Sequence, residues 1–261
     1  MKKLLIAIAI LVPCLLLAQT PQKLTLDPSK KLVIQNPSKI ILPPNYNAGK
    51  KYPLVIFLPC TGATAEDIFS GYTYQANGSS NADESSLAAL LKAYFGNEMD
   101  KKSFILMLPD EAGSTADHDW KGFSASVYRY ENRIITDIET YSKKYSIDPN
   151  KIILVGYSLG GDMGWAIANR YPEKFKGAIL SGTRCSYSEK GMIQRLAKNN
   201  VRFYIAMGEQ DQDARIKGAK SAITILNNAN IKNIFKTIPG QGHVTATYDQ
   251  LKEGLNFVLF E

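Results

Sequence analysis

The sequence predicts an α/β protein with a mostly parallel central sheet and helices on both faces. Two observations predict this fold class. Short apolar runs without polar alternation recur along the chain, and segments with helical spacing of apolar residues lie between them. Unalternating apolar runs are typical of strands that helices cover on both faces. With 261 residues, 45% of them hydrophobic, the chain is long enough to bury a core without disulfides or a structural metal.

The predicted strands begin with two short β-like segments and continue as apolar runs, most of them stopped by proline or glycine. In chain order they are residues 32–34, 39–42, 54–58, 104–108, 152–155, 178–180, 201–207 and 234–238. Helices are predicted over residues 86–95, 128–145, 163–171, 216–227 and 248–260. This alternation implies right-handed βαβ units, and ligands of such sheets bind at the carboxyl ends of the strands.

The first residues are predicted to be a signal peptide, so the single domain is expected to span residues 19–261. Lys2 and Lys3 precede an apolar stretch over residues 4–18, which is shorter than the roughly 20 residues that cross a bilayer. We expect cleavage after Ala18 and export to the periplasm or the medium. Lipid attachment at Cys14 is disfavoured, because Pro13 precedes this cysteine and the apolar stretch continues beyond it.

Charge and cysteine content narrow the classes of partner. The formal net charge is +7, but the lysines are dispersed among acidic and apolar residues. A nucleic-acid partner is not expected, since no basic face interleaved with aromatic residues is present. No membrane span is expected after signal removal, and the oligomeric state is not predicted. Cys60 and Cys185 remain in the mature chain, and either a disulfide or two separate thiols is compatible with the sequence.

A candidate nucleophile follows the strand predicted over residues 152–155. The residues 156–161 read Gly-Tyr-Ser-Leu-Gly-Gly, a G-x-S-x-G pattern between a buried strand and a helix. Small residues on both sides allow the tight turn that would hold the hydroxyl of Ser158 at the edge of the sheet. A serine hydroxyl is a weak nucleophile at neutral pH and requires an adjacent base.

A base and an acid are found after two later strands. The chain has two histidines, and His243 lies in a Pro-Gly-Gln-Gly-His loop directly after the last predicted strand. A carboxylate must fix the tautomer of that histidine. Asp211 is the first candidate, three residues after Gly208, and Asp213 and Glu209 are alternatives. The order serine, aspartate, histidine is that of the α/β-hydrolase fold.

On these residues the sequence resembles an α/β-hydrolase of the esterase, dienelactone-hydrolase and feruloyl-esterase type, over roughly residues 39–261. The resemblance rests on the motifs GYSLGG, GEQD and PGQGH. It implies an α/β-hydrolase fold. Only about 20 residues separate the strands predicted at 178–180 and 201–207, which leaves no room for a large cap domain between them. The resemblance also implies an oxyanion hole in which the N–H of Leu159 is one donor.

The second oxyanion donor is expected in the loop after the strand at 54–58. Relatives usually carry His-Gly there, whereas this chain has Leu-Pro-Cys-Thr-Gly at residues 58–62. The N–H of Thr61 is the first candidate and that of Cys60 the second, since Pro59 has no N–H.

The resemblance implies a carboxylic-ester hydrolase that works through an acyl-enzyme on Ser158 without a metal or organic cofactor. A small-molecule ester or an acyl group on a polymer such as polysaccharide is the expected substrate. A serine peptidase, an acyltransferase and a noncatalytic binding protein are the alternatives. Candidate substrate contacts are Cys60, Tyr157 and Trp120, with Phe123 beside Trp120. His118, flanked by two aspartates, is compatible with a solvated loop, a substrate contact or a metal ligand.

Overall fold

The computed structural model describes residues 38–43, 46–63, 90, 103–109, 111 and 120–261, with the side chains of Trp120 and Lys121 outside the description. Several predictions from the sequence fall outside these residues. They are the signal peptide at 1–18, the strand at 32–34, most of the helix at 86–95, and the role of His118.

The described residues form one seven-stranded sheet. Its order is β1-β3-β2-β4-β5-β6-β7, and β1 alone of these strands pairs in antiparallel fashion. The strands are β1 (Lys39–Ile41), β2 (Tyr52–Leu58), β3 (Ile105–Leu108), β4 (Ile147–Tyr157), β5 (Gly177–Ser181), β6 (Arg202–Gly208) and β7 (Asn233–Ile238).

The structure describes the bounds of five α-helices. They are α1 (Trp120–Lys144), α2 (Leu159–Arg170), α3 (Met192–Lys198), α4 (Asp213–Asn228) and α5 (Tyr248–Leu255). A π-helical turn (Asn256–Phe260) continues directly from α5. The predicted fold class is confirmed, because helices alternate with parallel strands along the chain.

The core explains why the strand sequences lack polar alternation. Every residue of β2 is buried. Leu54 and Ile56 belong to a cluster that also holds residues of α1, α2 and α4, while Val55 and Phe57 belong to a second cluster that includes α5. Successive side chains of a strand point to opposite faces. Both faces of the sheet are therefore covered by apolar side chains.

The largest differences from the sequence predictions concern three elements. β4 begins at Ile147 and not at residue 152, because Ile147 pairs with Tyr52 before a register irregularity that accommodates residues 148–151. α1 begins at Trp120, eight residues before the predicted start. α3 was not predicted, and only its Met192 and Leu196 are buried, which is too weak a pattern to indicate a helix.

The strand order places a crevice between β2 and β4. The chain leaves β2 for β3 on one side of it and then crosses to β4 on the other side. At such a topological switch point the loops after the two strands diverge and leave room for a ligand. The loops concerned are residues 59–63 after β2 and the turn at Ser158 after β4.

Candidate active site

The turn between β4 and α2 holds Ser158 in an unusual backbone conformation. Its φ is 55° and its ψ is −115°, and such left-handed conformations of non-glycine residues cost on the order of 1–3 kcal/mol. The N–H of Ser158 donates to the Ser181 carbonyl at 3.0 Å, and its carbonyl accepts from Asp162 at 3.0 Å. The turn is therefore fixed at both ends, to β5 and to the first turn of α2.

The imidazole of His243 lies within hydrogen-bond distance of this serine. Its Nε2 is 2.8 Å from Oγ of Ser158, although 85 residues separate the two in sequence. The histidine loop reaches the end of β6 because Gly208 has no side chain, and a Cβ there would lie 1.8 Å from the Gly242 carbonyl oxygen. The Gln210 N–H donates to the Gln241 carbonyl at 2.7 Å, and this hydrogen bond joins the loop after β6 to the loop after β7.

The opposite side of the imidazole contacts a carboxylate. Nδ1 of His243 is 2.9 and 3.0 Å from the two carboxylate oxygens of Asp211. Burial acts to raise the pKa of Asp211, but the hydrogen bond and charge of His243, the Gln212 N–H and the charge of Arg215 outweigh it. The pKa of Asp211 is therefore below its ordinary value. This carboxylate is ionised at neutral pH and can hold Nδ1 as the protonated nitrogen.

The two alternative acids lie elsewhere. The Glu209 carboxylate accepts from the Gly240 N–H at 3.1 Å. Asp213 is 89% exposed and lies 3.7 Å from the amine of Lys217 on the surface of α4. Among the three acidic candidates, the structure brings only Asp211 to His243.

Comparisons with known proteins agree with this architecture. A family model described as alpha/beta hydrolase fold matches residues 102–213. The chain has the α/β-hydrolase fold. Esterase PE8 is 15% identical with a TM-score of 0.60, and the match covers 87% of this chain and 100% of that protein. The ferulic acid esterase of the anaerobic fungus Anaeromyces mucronatus is 19% identical with a TM-score of 0.53, covering 90% and 97%.

A third similar structure is a larger protein. A structure described as a dipeptidyl aminopeptidase IV from Bacteroides ovatus is 18% identical to this chain, with a TM-score of 0.53. The match covers 83% of this chain but 32% of that one, so the chain spans about a third of its length. No curated protein sequence matches the chain.

The predicted oxyanion donors lie at adjoining loops. Leu159 is the first residue of α2, so its N–H precedes the first intrahelical hydrogen bond and is available to a ligand. A Cβ on Gly160 would lie 2.0 Å from the Leu58 carbonyl oxygen, which places the first turn of α2 directly against the end of β2. Thr61 and Cys60 follow that strand end, and the assignment of the second donor to Thr61 stays a prediction.

The residues predicted to contact the substrate lie in different surroundings. The ring of Tyr157 stacks on the His243 imidazole with centroids 5.0 Å apart, and its hydroxyl donates to the His243 carbonyl at 3.0 Å. Phe123 is buried beneath the guanidinium of Arg184. Trp120 begins α1, but its side chain lies outside the description.

Cys60 and Cys185 are not joined by a disulfide in the structure. Burial raises the pKa of the Cys185 thiol. Of the helices in the described ranges, none combines the length and apolar character needed to cross a membrane.

Sequence reasoning missed a buried ionic cluster beside the catalytic candidates. Asp162, in the first turn of α2, is fully buried and accepts hydrogen bonds from Thr183 and Arg184. Arg215, in the first turn of α4, is also buried and lies close to the same carboxylate. The signal in the sequence was a single aspartate, Asp162, in a segment of mostly apolar residues. The structure shows that the first eleven residues of this helix are all buried.

The contact between Gly160 and the end of β2 predicts a large effect on folding. In Gly160→Ala the new methyl group meets the carbonyl oxygens of Leu58 and Pro59, which are backbone atoms that cannot rotate away. We expect a loss of about 3 kcal/mol in the free energy of unfolding, measured by urea denaturation. Gly164→Ala, in the same helix, is the matched control, since its Cβ meets the terminal methyl of Leu180. Equal losses in the two variants would contradict this reading.

Proposed function

We propose that the protein is a serine hydrolase that cleaves carboxylic esters through an acyl-enzyme on Ser158. One observation carries the proposal. An alcohol, an imidazole and a carboxylate are hydrogen-bonded in series, from Ser158 through His243 to Asp211, at the carboxyl edge of a parallel sheet. This arrangement activates a hydroxyl that is otherwise a weak nucleophile.

The proposed first half-reaction forms the acyl-enzyme. Oγ of Ser158 attacks the carbonyl carbon of the ester while Nε2 of His243 takes the hydroxyl proton. The negative charge on the tetrahedral carbonyl oxygen is stabilised by the N–H of Leu159 and by an amide near Thr61. When the intermediate collapses, the bond to the alcohol breaks and His243 donates its proton to the departing oxygen.

The second half-reaction repeats these roles with water. His243 takes a proton from a water molecule as the water oxygen attacks the acyl carbon. Collapse releases the carboxylic acid, and the proton returns to Oγ of Ser158. Asp211 stays ionised throughout and stabilises the imidazolium, which is consistent with the lowered pKa of this carboxyl group. Ser158 and His243 account for every proton transfer in this proposed reaction.

The proteins of similar fold and the loops around the site support a proposal for the substrate and the location. The proteins of similar fold include ferulic acid esterases. The segment between β5 and β6 holds only the short helix α3, so no large domain covers the site from there. We therefore favour an accessible ester, such as an acyl group on a polysaccharide or a small environmental ester. Export through the signal peptide at residues 1–18 would bring the enzyme to such substrates.

A substrate panel tests the reaction class. We expect turnover of p-nitrophenyl acetate and methyl ferulate, and little cleavage of peptide p-nitroanilides. Comparing acetyl with longer acyl chains defines the acyl half of the site. Adding a competing alcohol and analysing the products separates hydrolysis from acyl transfer.

A peptidase is the second candidate, because one structure of similar fold is described as a dipeptidyl aminopeptidase. Faster cleavage of the anilides than of the esters would favour the peptidase. Folded protein that turns over neither class would favour a noncatalytic binding protein.

A further inference from the structure

The buried ionic cluster next to the proposed catalytic residues contains one carboxylate, Asp162, and two arginines, Arg184 and Arg215. Asp162 accepts from Oγ1 of Thr183 at 3.0 Å and from the N–H of Arg184 at 2.7 Å. The guanidinium of Arg184 completes its shell, with Nη2 at 2.6 Å. Asp162 is thus satisfied by Thr183 and Arg184, and Arg215 is not needed as its main partner.

Arg215 is positioned to act on a different part of the site. Its side chain is 6% exposed, and Nη1 donates to the Gly182 carbonyl at 2.5 Å and lies 3.7 Å from Asp162. It follows Asp211 by four residues, and its charge favours the ionised form of Asp211. A buried charge is costly unless it is paired, and the partners of this guanidinium are the Gly182 carbonyl and Asp162.

Gly182 connects this guanidinium to the imidazole. A Cβ at this glycine would lie 2.8 Å from Cε1 of His243 and 3.3 Å from the ring of Tyr157, so its backbone forms a wall of the imidazole site. The φ of Gly182 is 54°, a conformation that glycine adopts without strain. Its N–H donates to the Ala206 carbonyl at 3.0 Å, and its own carbonyl is held by Arg215.

We propose that Arg215 is a positioning residue for the Asp211–His243 pair, which holds the Gly182 backbone against the imidazole and supplies a cation to both Asp211 and Asp162. The proposal rests on the proposed function for its kinetic consequence. Its electrostatic consequence is independent of catalysis, because it concerns only how readily a proton binds at the Asp211–His243 pair.

The charges around the pair define the sign of the effect. Asp211 contacts the imidazole from the β6 loop, and Tyr157 stacks on it from β4. Arg215 contacts the neighbouring Gly182 carbonyl from α4, and Glu209 accepts from the Gly240 N–H. Asp162 lies behind Arg215, on α2. A nearby positive charge disfavours the imidazolium. Replacement of Arg215 by a neutral residue therefore lets the imidazole take up a proton at higher pH.

The test is a pH titration of the imidazole by NMR on the full chain. The chain has only two histidines, so His118→Gln assigns the signals. In Arg215→Met we expect the midpoint of the His243 titration to rise by roughly half a pH unit or more. Arg215→Lys keeps the charge and should restore the midpoint. The matched control is Arg184→Met, which also removes a cation from Asp162 but leaves the Gly182 contact, and its midpoint should stay at the wild-type value.

Kinetics on an ester that the wild type hydrolyses give the second readout. Arg215→Met should lower kcat by about 10- to 100-fold with KM little changed. Arg215→Lys should recover only part of kcat, because an ammonium group lacks the planar set of N–H donors of a guanidinium. If Arg215→Met does not fold, a wild-type midpoint with reduced kcat in Arg215→Lys supports the proposal.

An unchanged His243 midpoint in folded Arg215→Met would overturn it, as would equal shifts in Arg184→Met. A wild type that hydrolyses no ester would refute the proposed function alone, since the NMR comparison still decides the role of Arg215.

Discussion

We expect Ser158→Ala to remove almost all ester hydrolysis while leaving the protein folded. The side chain of Ser158 supplies the attacking oxygen, and no other hydroxyl is shown within reach of Nε2 of His243 among the described residues. By analogy with another serine hydrolase, we expect kcat to fall by about 10⁶. The residual rate reflects binding and the oxyanion donors, which the substitution leaves in place. The measurement is steady-state hydrolysis of p-nitrophenyl acetate with purified protein.

The control for this variant is its stability. Alanine removes one oxygen, and the hydrogen bonds of the backbone at residue 158 to Ser181 and Asp162 remain. Thermal unfolding of Ser158→Ala should therefore resemble that of the wild type. If the variant retained a substantial part of the wild-type kcat, a different group would be the nucleophile.

The second large effect is expected in Asp211→Asn, with kcat reduced by about 10⁴. The carboxylate oxygens of Asp211 lie 2.9 and 3.0 Å from Nδ1 and accept a hydrogen bond from its N–H. An amide that presents its NH₂ group there makes Nδ1 the acceptor and leaves the proton on Nε2. The imidazole then cannot take the proton of Ser158. The measurement is kcat for the same ester across a range of pH.

Asp213→Asn is the matched control for this prediction. Asp213 is two residues away and exposed, and its contact in the structure is a surface pair with Lys217. Surface pairs of this kind contribute little to stability. We expect kcat within about twofold of the wild type, since nothing in the site changes. Equal losses in the two variants would show that Asp211 does not orient the histidine.

The fold and the meeting of distant residues could be predicted because both follow from local patterns. The buried strands appear as unbroken apolar runs, and the turn at Ser158 is marked by glycines on both sides. The carboxyl ends of parallel strands share one edge of the sheet, so side chains that follow β4, β6 and β7 were expected to lie close together. The structure brings Ser158, Asp211 and His243 within hydrogen-bond distance there.

The rest depends on contacts that no local pattern contains. The Arg215 guanidinium lies against Gly182, 33 residues away in sequence, and against Asp162 on a third element. Which of three acids reaches His243 is decided by the turn in which the Asp211 N–H donates to the Gly208 carbonyl, at 3.1 Å. The early start of β4 arises from pairing with Tyr52, in spite of Pro149 within the strand.

Covalent labelling with a fluorophosphonate, followed by digestion and mass spectrometry, tests the central proposal most directly. Trypsin releases residues 152–170 as one peptide, whose hydroxyl-bearing residues are Tyr157 and Ser158. We expect one phosphonyl group per chain, located at Ser158 by fragmentation, and no labelling in His243→Gln. Labelling at another residue, or none in folded wild-type protein, would contradict the assignment of Ser158 as the nucleophile.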